Sequence, residues 1–318
     1  MDSRSASDSS ATSPVPVGSP NDFLGKIFLN DAGLRAGWRL CLYGLFWIAL
    51  SYLLQFVTIG FFGFTADTLS PQGILREDLT SFLAAFGAAL LMARLERRPV
   101  DIYGLPRAAQ DFGKLFWQGS LLGLVEVTLL IGLIAAFGGY SFGSLSLDGM
   151  EVVRWGAVWF AAFVFVGLSE EFLFRGYTQY TLAQGIGFWS AAILLSVLFG
   201  AVHLRNPGEG FMGAAGVVAT GLLFAFTLRR TGNLWLAVGW HASFDFGETF
   251  LYSVPDSGLL LPHHLSNATL HGKKWLTGGT VGPEGSVFSF VTMGILAIAI
   301  HFLFPAKKAE RAKSTETT

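Results

Sequence analysis

Charge and cysteine are the two things this sequence has least of. Only 14% of its 318 residues are charged, against about 25% in an ordinary soluble domain, which excludes a water-exposed globule. The 52% hydrophobic content and mean hydropathy of +0.52 point instead to an integral membrane protein. The single cysteine, Cys41, rules out a disulfide within the chain. A net charge of −1 leaves no basic excess to attract nucleic acid. No fixed period marks a repeat. No positive-then-apolar segment with a small-residue cleavage site opens the chain, and no cleaved leader is expected. The opening "MDSRSASDSSATSPVPVGSP" is too poor in large apolar residues to build a core. A disordered tail is therefore expected over 1–30, a transmembrane domain over 31–306 and a basic tail over 307–318.

Long apolar runs are what the chain has in abundance. A hydrocarbon layer about 30 Å thick takes roughly 20 apolar residues per helix. Eight windows qualify: 38–62, 79–95, 116–137, 155–176, 187–203, 211–228, 234–252 and 287–304. The expected fold is all-α, a polytopic membrane helix bundle of about eight spans. In the sixth window Ala215 and Ala219, and Gly221 and Ala225, recur at four-residue spacing, which suits close helix packing in lipid. With the N-terminus inside, sixteen of the twenty-one Lys and Arg residues fall on inner segments. The outer segments hold only Arg76, Arg154, Arg205, Lys273 and Lys274. Short cytoplasmic loops carry such an excess, so both termini are expected in the cytoplasm. The 253–286 loop would then face outward.

Ionisable residues at membrane depth are costly and mark function by default. The fourth window carries Glu170, Glu171 and Arg175, the fifth ends in His203, the seventh holds His241 and Asp245, and the third holds a lone Glu126. Glu171 and Arg175 are four apart and can pair along one helical face. Glu170 is turned about 100° away and must find partners elsewhere. His241 and Asp245 also share a face, and a carboxylate beside an imidazole fixes its tautomer. Glu126 reads as a bundle-facing residue hydrogen-bonded to a neighbouring helix, with a place on a water-filled cavity as the alternative. Two imidazoles with carboxylates could ligate a divalent metal such as zinc. Without a metal, glutamate and histidine could activate water while His241 and Asp245 face the oxyanion. Counting 1.5 Å per residue puts Glu170 and His241 about 8–12 Å from the cytoplasmic side, with His203 about 10 Å further out.

The motifs "EEFLFR", "FGAVH" and "HASFD" fit EExxxR, FxxxH and HxxxN/D in that order. Over residues 150–252 the chain resembles the CAAX protease and bacteriocin-processing family, which includes type II CAAX prenyl endopeptidases and the so-called abortive-infection proteins. The resemblance implies Glu170 and His203 as the water-activating pair and His241 with Asp245 as the oxyanion-stabilising or metal-ligating side. It implies Glu171 and Arg175 as supporting residues. Asp245 stands where many members carry Asn, and Asp is the better metal ligand of the two. Both a metalloprotease and a metal-free glutamate protease are open. The expected function is an intramembrane endopeptidase acting on a membrane-associated peptide or protein, its site in the cytoplasmic half of a bacterial plasma membrane. The alternatives are a transporter with an intramembrane proton or metal path, and a non-catalytic immunity or scaffold protein.

Overall fold

A computed structural model describes residues 27–305, apart from 31–32, 62, 64–66 and 107–108. The basic tail, and the first tail up to residue 26, lie outside the described residues. Each of the eight apolar windows lies on a helix. These are α1 Ala36–Gly60, α2 Pro71–Leu95, α3 Ala109–Ala136, α4 Gly149–Arg175, α6 Phe188–His203, α7 Phe211–Thr231, α8 Trp235–Phe246 and α9 Val287–Leu303. A ninth helix, α5 Tyr177–Ile186, is short and polar and fills the gap between α4 and α6. Short turns of helix at Val100–Tyr103, Gly247–Leu251, Lys274–Thr277 and Pro283–Gly285 and two pairs of two-residue strands are also present, one pair joining Tyr140–Ser141 to Thr269–Leu270 in antiparallel register.

Five helical segments are long and apolar enough to cross a membrane: Ala36–Gly60, Pro71–Leu95, Phe112–Ala136, Gly149–Ile186 and Phe211–Thr231. The outermost, α1, would span about 37 Å at 1.5 Å per residue. Leu45, Tyr52 and Phe56 on it are more than half exposed. Such an apolar exterior is an aggregation hazard in water and the correct surface in lipid. The protein is an integral membrane protein.

Helix α2 begins two turns before its apolar window. Pro71 occupies the first turn, where its missing N–H costs nothing, and the Ser70 hydroxyl caps the Gly73 amide at 3.1 Å. The extension carries Asp78 into the helix. Its buried face, Ala84, Ala85, Ala88 and Ala89, adds little bulk where α2 packs between α1 and α4.

Helices α3 and α8 touch almost backbone to backbone. A Cβ on Gly119 would stand 2.1 Å from the Leu236 carbonyl oxygen, and one on Gly239 would stand 2.1 Å from that of Phe116. The small-residue face expected on α7 is only partly used: Gly221 and Ala225 are buried, whereas Ala215 points outward. Glycine makes two of the chain reversals. A Cβ on Gly176, between α4 and α5, would stand 2.4 Å from the Phe172 carbonyl oxygen, and Gly187, before α6, has φ of +84°. Helix α5 is held to α1 and α2 by Glu96, which accepts from Arg39 at 2.5 Å and Tyr177 at 2.5 Å. Arg39 also donates to Gln184 at 2.7 Å.

Candidate active site

The site lies where the end of α4 meets the middle of α8. Gly167 permits the approach, since a Cβ there would come within 3.0 Å of the Val238 carbonyl oxygen. Glu171 is fully buried, and its Oε1 accepts from Arg175 Nη1 at 3.2 Å and from His241 Nδ1 at 3.0 Å. The expected Glu171–Arg175 pair therefore forms, and the same carboxylate also orients His241. That second bond was beyond a reading of one helix. Arg175 is buried as well, its guanidinium 4.3 Å from the Phe199 ring centre. Gly221 leaves the room: a Cβ there would stand 2.5 Å from Arg175 Nη2.

With Nδ1 tied to Glu171, His241 turns Nε2 towards the other acids. Glu170 Oε2 is 3.6 Å from Nε2 and Asp245 Oδ2 is 3.4 Å from it. The structure thus brings Glu170, His241 and Asp245 together. His203 stands apart on α6, its Nδ1 2.8 Å from the Phe199 carbonyl oxygen of its own helix. Among the described residues no hydrogen bond or ion pair joins His203 to the other three. Phe199 touches both imidazoles, with ring centres 4.6 Å from His203 and 6.4 Å from His241.

All four residues nevertheless line one cavity of about 260 Å³. Its wall continues through Asn206, Asp256, Ser257 and Glu284, at the end of the bundle that carries the 253–286 loop. Glu126 has both of its anticipated roles, accepting from Trp240 Nε1 at 2.7 Å and lining the cavity. Asp78 also lines it and accepts from the Ser169 hydroxyl at 2.8 Å. The hydropathy window that began at 79 hid this residue; the Pro71 cap signal could have found it.

A zinc ion needs donors about 2.0–2.3 Å from its centre. Among the described residues, three acid or imidazole donors approach within 4.8 Å of one another only at Glu248, Asp256 and Glu284. Glu170, His203, His241 and Asp245 do not converge in that way, so this arrangement does not fit a metal held by the four.

Residues 153–247 match the family model described as type II CAAX prenyl endopeptidase, Rce1-like. This segment is similar to a Rce1-like CAAX endopeptidase domain. The match runs from the first turns of α4 to the end of α8 and contains all three motifs. The Rce1-like domain thus holds Glu170, Glu171, Arg175, His203, His241 and Asp245, while Asp78, Glu126, Asp256 and Glu284 reach its cavity from outside it. No curated protein and no solved structure matches the chain. The family supports a CAAX-type intramembrane protease in general terms.

Proposed function

We propose that the protein is an intramembrane endopeptidase that cuts a peptide bond in a membrane-associated peptide or protein, with Glu170 as its base. The supporting observation is the placing of Glu170 and Asp245 on either side of His241 Nε2, at 3.6 and 3.4 Å, in the wall of a cavity. In this reading Glu170, with His203 across the cavity, holds a water and takes one of its protons. The hydroxyl oxygen attacks the scissile carbonyl carbon. The doubly protonated His241 donates from Nδ1 to Glu171 and from Nε2 to the developing oxyanion, with Asp245 behind it. Collapse breaks the C–N bond, and the proton on Glu170 passes to the leaving amine. No step passes through a metal. Asp78, hydrogen-bonded to Ser169 beside Glu170, completes the polar wall.

Glu170→Gln keeps the shape and removes the base. Purified in detergent and offered a membrane-anchored peptide that the native protein cleaves, this variant is expected to lose activity by about 10²–10⁴-fold. Cleavage at the native rate would remove Glu170 from the role.

A further inference from the structure

The far wall of the cavity holds an acidic group that the proposed hydrolysis leaves unused. Glu248 lies in the π-helical turn Gly247–Leu251 that follows α8, three residues beyond Asp245. Asp256 and Glu284 come from the two ends of the loop that follows. One carboxylate oxygen from each of the three lies within 4.8 Å of the other two. Glu248 is fully buried, and neither of its oxygens has a hydrogen-bond partner. A buried, unpartnered carboxylate facing two others is costly unless a proton or a cation joins them.

The surroundings favour the cation. Glu284 Oε2 accepts from both the amide and the hydroxyl of Ser257, each at 2.8 Å. Asp256 Oδ2 accepts from the Thr249 hydroxyl at 3.1 Å. Each of these acids is thus oriented through one oxygen and keeps the other for a ligand, as the outer partners of metal ligands do. The donor set is all oxygen, with no nitrogen or sulfur, which selects a hard ion. Bonds of 2.3–2.6 Å put calcium ligands up to about 5 Å apart across the ion, and magnesium ligands nearer 4 Å.

We infer that Glu248, Asp256 and Glu284 form a binding site for a calcium-sized hard divalent cation, which clips both ends of the 256–284 loop to the end of α8. Water from the adjoining cavity supplies the remaining ligands. The site stands independently of the protease reading, and its test needs no substrate.

The test uses the full-length protein in detergent, stripped with a chelator and titrated separately with calcium, magnesium, manganese and zinc chlorides. Equilibrium dialysis is expected to show one calcium per chain. Thermal unfolding is expected to shift upward by about 5 °C at a hundredfold excess over Kd. Glu248→Gln is expected to weaken calcium binding at least about tenfold, while Glu151→Gln, an exposed acid on α4, leaves it unchanged. If Glu248→Gln does not fold, Asp256→Asn at the cavity wall carries the same expectation. Zinc bound in preference to the hard ions would overturn the assignment. So would an unfolding temperature unmoved by any of the four ions together with a Glu248→Gln variant as stable as the native chain, because the three carboxyls would then be sharing protons.

Discussion

Glu170 and Glu171 are adjacent and have opposite surroundings. The Glu171 side chain is sealed from solvent and bonded to Arg175 and His241, whereas that of Glu170 keeps 28% of its surface exposed to the cavity. The two should therefore fail in different ways. Glu171→Gln leaves the Arg175 guanidinium buried without a counter-charge, a loss on the order of 3–5 kcal/mol for a buried pair. Thermal unfolding in detergent should show a large drop for Glu171→Gln and almost none for Glu170→Gln, with activity falling in both. Equal unfolding temperatures for the two variants would show that Glu171 is not structural support. Helical spacing made the Glu171–Arg175 pair legible, because four residues bring two side chains together whatever the rest of the fold does. The His241–Glu171 bond joins residues 70 apart and depends on how α4 packs on α8, which no local pattern encodes. Glu248 escaped for another reason. It lies three residues beyond Asp245 in a π turn, where a hydropathy window registers only an apolar span ending.

At the scale of elements, close contact depends on glycine more than on bulk. The backbones of α3 and α8 meet through Gly119 and Gly239, and the positions of Glu126 and His241 depend on that contact. Gly239→Ala drives a methyl group to 2.1 Å from the Phe116 carbonyl oxygen, a backbone atom that cannot swing aside. The expected loss is about 1–3 kcal/mol, as for overpacking elsewhere. Gly132, on the open face of α3, has nothing within 4 Å of an added Cβ. Gly132→Ala should be neutral or stabilising by up to about 1 kcal/mol, because alanine is the better helix former. Thermal unfolding of the two variants side by side checks the interface: equal effects would mean that α3 and α8 are not in backbone contact. All eight apolar windows became helices because hydrophobicity over some twenty residues needs no knowledge of neighbours. Helix α5 did not register, since ten residues containing Thr178, Gln179, Thr181 and Gln184 give no apolar signal. It is a helix through its tertiary anchors, Tyr177 to Glu96 and Gln184 to Arg39.

At the scale of the whole molecule, orientation decides which compartment supplies water and substrate. The excess of Lys and Arg puts both termini in the cytoplasm if the eight helices all cross. The cavity runs from Glu170 and His241 to Asp256, Ser257 and Glu284, at the end of the bundle opposite α5 and the 229–233 turn. Combining the two would give a site reached from the outer side, with Glu170 near what would be the inner end of α4, so that cytoplasmic access would not follow from depth alone. In that orientation Asp256 and Glu284 would face the compartment where weak, extracellular-type calcium sites operate. Orientation can be measured directly because Cys41 is the only native cysteine. In a Cys41→Ser background, Asn267→Cys in the exposed loop should react with a membrane-impermeant maleimide on intact cells. Arg229→Cys, at the exposed end of α7, should react only after permeabilisation. The reverse pattern would turn the molecule over, placing the cavity and the acidic cluster on the cytoplasmic side and making the charge distribution a false guide.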